Sequence, residues 1–136
     1  MTGAEVLGVL LYAQAPLTAF IPTNRIKGGR LPDGAALPSL LVRVVSLLDR
    51  QPLVHPGWFR SDALVSVMVR AESYDDQNKA IRLVRAVPKK AVGTVGTARN
   101  VVVLTAGLGP DVIGPGNTFE QTQTFRVAFD AFDADD

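Results

Sequence analysis

Apolar residues recur along this chain with two periods, and the change from one to the other marks its elements. Over Ala4 to Gln14, the residues Val6, Leu7, Leu10 and Leu11, with Ala15 beyond, fall at helical spacing, and Thr2 or Gly3 stands where an N-cap belongs. Pro16 ends this helix or opens a short turn. Ala19, Phe20 and Ile21 then pack the chain down before the turn signal Pro22-Thr23-Asn24. Arg25 to Lys27 can form only a short strand, because Gly28-Gly29 follows. From Leu40 to Leu48 the period is two. Leu40, Val42, Val44 and Leu48 share one face with Ser46, while Leu41, Val45 and Leu47 share the other with Arg43. A strand apolar on both faces belongs in the middle of its sheet or beneath a neighbouring subunit.

Pro52, Pro56 and Gly57 make Asp49 to Ser61 a loop. Leu64 to Glu72 alternates cleanly, with Val65, Val67, Val69 and Ala71 on one face and Ser66, Met68, Arg70 and Glu72 on the other. Ser73 then fits the N-cap of a helix with Asp76 three residues on, an approximate capping box that also sets acids at the positive helix end. Ile81, Val84 and Val87, with Ala80 and Leu83, supply its buried stripe; Pro88 ends it, and Lys89-Lys90 suits the negative end. Gly93 to Gly96 reads as a turn and Arg99 to Ala106 as a strand. Gly107-Leu108-Gly109-Pro110 and Gly114-Pro115-Gly116 bracket a returning loop. The last strand, Thr118 to Ala131, sets Phe119, Phe125, Val127 and Phe129 on one face with Gln121 and Gln123 between them. The order helix, short strand, two strands, helix, two strands predicts an α+β fold: a mainly antiparallel sheet with two helices packed on it. At 136 residues the expectation is one domain, 1–136.

Composition narrows the function. Hydrophobic residues make up 47% of the chain, which is that of a folded protein and not a disordered one. The net charge of +1 hides an asymmetry: Asp130 to Asp136 carries four Asp and no base, and removing those charges takes the body to +5. A body this mildly basic lacks the dense Lys/Arg stripe of a dedicated nucleic-acid binder. With no cysteine, thiolate chemistry, disulfides and Cys-type zinc sites are excluded. The N-terminus lacks the basic region of a signal peptide. The apolar run Val6 to Leu11 is far short of the ~20 residues a membrane span needs.

Candidate chemistry is sparse. His55 is the only histidine, without a Ser/Asp partner pattern or a second ligand, so it reads as a loop-surface residue and no metal is implied. Gly93-Thr94-Val95-Gly96 has the form of a nucleic-acid-clamping GXXG loop, but a β-rich run follows where a helix is required. Gly107-Leu108-Gly109 fails as a dinucleotide fingerprint, since Val112 occupies the third glycine position. The acidic terminus 130–136 lacks the turn glycine and closing Glu of a cation loop and reads as a frayed tail. Trp58-Phe59-Arg60, an aromatic pair beside Arg on a proline-shaped loop, is the composition of an interface anchor; alternatively Trp58 caps the edge of the core. No catalytic residue, cofactor site or metal site is expected. The partner-facing candidates are Trp58, Phe59, Arg60, Arg30, Leu108 and Ile113.

Taken in order, several pieces resemble one family. The N-terminal helix leads to the Gly28-Gly29-Arg30-Leu31-Pro32 turn and then to Leu37-Pro38-Ser39-Leu40 at a strand start. Val65-Ser66-Val67-Met68-Val69-Arg70-Ala71 is followed at once by Ser73-Tyr74-Asp75-Asp76-Gln77-Asn78-Lys79-Ala80, and the last strand is the polar and aromatic Thr122-Gln123-Thr124-Phe125-Arg126-Val127-Ala128-Phe129. This order resembles the tail-completion (tail-terminator) proteins of long-tailed bacteriophages and prophages. The Pro-rich stretch Arg50 to Ser61 departs from the pattern. The resemblance implies a non-enzymatic ring, usually a hexamer, that caps the head-proximal end of the tail tube, stops its polymerisation and meets the head connector. It implies self, tail-tube protein and connector as partners, DNA passing through without sequence-specific binding, no membrane, assembly in the bacterial cytoplasm and a place in the virion. A head-closure or neck protein is the alternative within that class. A small α+β enzyme or ligand-binding domain would need convergent polar residues that the sequence does not offer.

Overall fold

Thr2 caps the first helix, its hydroxyl accepting from the Glu5 amide at 3.1 Å. The structure, a computed structural model, describes residues 2–32, 34–50 and 57–132. Helix α1 covers Gly3–Tyr12 and buries Val6, Leu7, Leu10 and Leu11. A second helix, α2 (Ala15–Phe20), follows where only a turn was expected: Pro16 sits in its first turn, where a missing N–H costs nothing, and so starts a helix rather than ending one. Its buried contributions are Leu17 and, just beyond its end, Ile21.

Strand β1 (Ile26–Gly28) runs parallel to β2 (Ser39–Arg50), and every other pairing is antiparallel. Strand β3 (Trp58–Ala71) leads to α3 (Tyr74–Arg85); then come β4 (Lys90–Val95), β5 (Ala98–Leu108), β6 (Val112–Gly114) and β7 (Thr118–Phe132). The sheet order is β1-β2-β3-β7-β5-β4, with β6 also on β7. The fold is thus α+β with a mainly antiparallel sheet. The helix α3 begins as its sequence dictates, with Ser73 Oγ accepting from the Asp76 amide at 3.1 Å. Its stripe Ala80, Ile81, Val84, with Val87 beyond, is buried.

One cluster holds the core. Residues from all three helices meet Leu40, Val42, Phe59, Val65, Val67, Val69, Val101, Val103, Phe125, Val127 and Phe129. Helix α1 comes so close to the sheet that a Cβ on Gly3 would stand 2.8 Å from Ala63 Cβ and 3.2 Å from Val65 Cγ2. Gly3→Ala is therefore expected to push the start of α1 off the sheet and destabilise by about 1–3 kcal/mol. Thermal melting checks this; an unchanged midpoint would mean the helix is seated further out.

Several boundaries depart from the sequence reading. Both β2 and β3 reach into the expected Asp49–Ser61 loop, to Arg50 and from Trp58. The expected turn at Gly93–Gly96 is narrower: Gly93 to Val95 are the second half of β4, Gly93, at φ +95, marks a register break, and the hairpin turns at Gly96-Thr97, closing at Val95 opposite Ala98. Strand β6 and a 3-10 turn at Pro115–Asn117 occupy the returning loop. Asp130 belongs to β7, opposite Arg60, and not to a frayed tail. His55 and the tail beyond 132 lie outside the described residues.

The most consequential departure is in β2. Val44 pairs with Val65 but Ser46 pairs with Leu64, so Val45 is an extra, bulged residue. A bulge shifts the alternation by one. Leu47, opposite the core residue Ala63, therefore joins the face of Leu40, Val42 and Val44, while Leu48, opposite Asp62, turns to the other face. This reverses the expected assignment of Leu47 and Leu48. Nor is β2 central over this length, because β1 pairs only with Leu40 to Val42.

Candidate functional site

The structure separates the six partner-facing candidates into three places. Trp58, Phe59 and Arg60 open β3 rather than sitting on a loop. Phe59 is 6% exposed, lies opposite Ala131 and belongs to the core cluster, so the expectation of an exposed aromatic pair is corrected: the proline-rich neighbourhood ends before it. Trp58 is half-buried. Arg60 is tied down, its Nη1 donating to Asp130 Oδ1 at 3.1 Å and to Asn100 O at 2.8 Å. Arg30 stands exposed in the turn after β1, its amide donating to Gly28 O.

Leu108 and Ile113 do come together. Strand β7 brings Leu108 opposite Gln123 and Ile113 opposite Phe119. They follow Gln123 and Phe119 onto one face, Leu108 43% and Ile113 62% exposed, and form an apolar patch there, while Val112, opposite Glu120, turns to the other face. What holds this patch is a set of glutamines. Gln123, fully buried, donates to Gly107 O at 3.0 Å and accepts from Arg85 Nη1 at 2.6 Å. Gln121 donates to Gly109 O at 2.9 Å. Gln77 of α3, also fully buried, donates to Asp111 Oδ1 at 2.8 Å and to Gln121 Oε1 at 3.2 Å, and Tyr74 Oη reaches Asp111 Oδ2 at 3.2 Å. The connection 107–111 is therefore fastened to both α3 and β7, which suits a loop that presents contacts from a rigid scaffold. The two β7 glutamines were visible as polar positions on an aromatic face. Gln77 was not, since a polar residue on a helix carries no sign of burial.

A second apolar surface was missed as such. Past Val42 no strand among the described residues pairs with the outer rim of β2, and Val44, Val45, Leu47 and Leu48 are 42%, 61%, 57% and 54% exposed. It continues onto α1 through Val9 and Tyr12, beside a cavity of ≈ 380 Å³ between α1 and the β1–β2 edge. An exposed sheet edge with several large apolar side chains is a ready template for another chain. The signal in the sequence was the doubly apolar Leu40–Leu48 run.

Across the sheet from the helices, charges are paired. Arg126 grips Asp62 with two bonds of 3.0 and 2.6 Å, and Arg70 Nε meets Glu120 Oε2 at 2.7 Å with both side chains largely buried. The hydrogen bonds to Asp62, and then its negative charge, raise the pKa of Arg126 above the ordinary arginine value. Such pairs fasten β3 to β7 and offer no acid, base or nucleophile in a pocket. Among the described residues no cluster of His, Cys, Asp and Glu could hold a metal ion, and no helix is long and apolar enough to cross a membrane.

No protein-family description matches the sequence, and no curated protein sequence does. In fold the chain is similar to a chain in the solved structure of the virion of a native gene transfer agent particle. The TM-score is 0.66 at 13% identity, over 94% of this chain and 94% of that one.

Proposed function

We propose that this chain is a structural protein of a phage-like particle, a tail terminator that assembles into a ring, caps the head-proximal end of the tail tube and stops its growth. The observation that carries the reading is the likeness of the whole fold, end to end, to a virion chain. The unprotected β2 rim and the Leu108–Ile113 patch support it, because two separate apolar surfaces suit a subunit with neighbours on two sides. The role is one of contact and not of catalysis. DNA passes through the ring without sequence readout, and the protein belongs to the virion after assembly in the host cytoplasm.

A ring is the first testable consequence. Sedimentation velocity and negative-stain microscopy of the purified chain, alone and with tail-tube protein, are expected to reveal closed rings, most often of six. A species that stays monomeric under both conditions would sink the ring. Rings that bind the head connector but never a tube end would favour the neck-protein alternative.

A further inference from the structure

Resting on the ring reading, we propose that the ring closes by docking the basic, apolar β1–β2 edge of one copy onto the acidic, apolar β6–α3 corner of the next. In the half of the sheet that holds Arg70 and Glu120, the strands run β1, β2, β3, β7, β6. The first apolar surface lies further along the outer edge of β2, opposite Val65 and Ala63, and the second lies beyond β7, so the two stand at opposed margins of the sheet. One is Val44, Val45 and Leu47 with Val9 and Tyr12; the other is Leu108 and Ile113 with Tyr74.

Their rims differ in sign. Beside the first, Lys27, Arg30 and Arg43 are exposed and make no ion pair among the described residues, and Glu5 is the one acid lining the groove there. Beside the second stand the exposed Glu72, Asp75 and Asp111; of the nearby cations, Arg70 is committed to Glu120 and Arg85, at the Leu108 end, bonds Gln123. Glu72 follows Ala71, which pairs with Phe119, which pairs in turn with Ile113; Tyr74 packs on Phe119 at 6.2 Å between ring centroids and bonds Asp111. Acids and apolar residues thus stand close together at this corner.

Like edges meeting each other would set base against base or acid against acid. Unlike edges pair opposite charges around an apolar centre, which is a head-to-tail contact and can close by rotation. The remaining edge, β4, is guarded: it has two register breaks, Gly93 at φ +95 and Lys90 at φ 70. Bulges and an edge lysine discourage strand addition. The β1–β2 edge carries its bulge amid exposed Val and Leu instead.

Reversing charges on one edge at a time tests this. Lys27→Glu with Arg43→Glu makes both edges acidic; Glu72→Lys with Asp75→Lys makes both basic. Each double variant alone is expected to associate about 100-fold more weakly than the unaltered chain, since like charges then face each other at every junction. Mixed in equal amounts, the two should restore rings in which they alternate, as an even ring such as a hexamer allows. Circular dichroism confirms that each variant is folded before sedimentation with and without tail-tube protein. Folded variants that stay apart when mixed, or that form rings singly, overturn the pairing of these edges while leaving the ring itself standing. An unaltered chain that never forms rings overturns both.

Discussion

Glu120→Ala is expected to destabilise the fold by about 3–5 kcal/mol, because it leaves the Arg70 guanidinium buried without its counter-charge. The side chains of Arg70 and Glu120 are 8% and 14% exposed, and among the described residues the 2.7 Å bond between them is the one ion pair that either makes. Arg70 has one further acceptor, Pro32 O at 3.4 Å, too long to replace a carboxylate. Breaking such a pair by removing one member is costly, whereas replacing both with apolar residues of similar size is often neutral. The double variant Arg70→Met with Glu120→Leu should therefore recover most of the loss. Urea unfolding of the single and double variants measures this. Equal stability of Glu120→Ala and the unaltered chain would mean that water already solvates Arg70.

Phe59→Ala is expected to cost about 3–5 kcal/mol as well, for a different reason: it empties a core position. In a chain of this length that corresponds to a drop of about 10–15 °C in melting temperature. At temperatures where the variant remains folded, ring formation should be unaffected, because Phe59 faces Ala131 and the interior rather than a partner. An unchanged melt with lost assembly would restore the reading of Phe59 as an interface anchor.

Where side chains alternate without interruption, the sequence revealed its elements. The β3 segment from Val65, the α3 stripe behind Ser73 and the aromatic face of β7 all lie where their patterns put them. What escaped were the irregularities. An extra residue at Val45 leaves no mark in a run where every neighbour is apolar, yet it decides which side Leu47 and Leu48 take. Pro16 signals a helix end and a helix start equally well, so α2 was hidden. Gly93 interrupts β4 and made a strand look like a turn. Phe59 was misjudged because Pro52, Pro56 and Gly57 precede it, although the strand resumes at Trp58.

The candidate surfaces were legible to a similar degree. Leu108 and Ile113 were singled out from the Gly- and Pro-bounded loop, and in the structure both are exposed and lie along the same side of β7. Their fastening through Gln77 depends on contacts between α3 and residues more than thirty positions away, which no local pattern encodes. The exposed β2 rim follows from strand order: a run apolar on both faces was read as central or as lying beneath a neighbouring subunit, and β1 covers only its first part.

Tail-tube length tests the central claim most directly. Tube protein polymerising in the presence of this chain should yield shorter tubes as the chain is added, with a ring at one end of each in electron micrographs. Tubes of unchanged length with bare ends, in the presence of folded protein, would contradict the account.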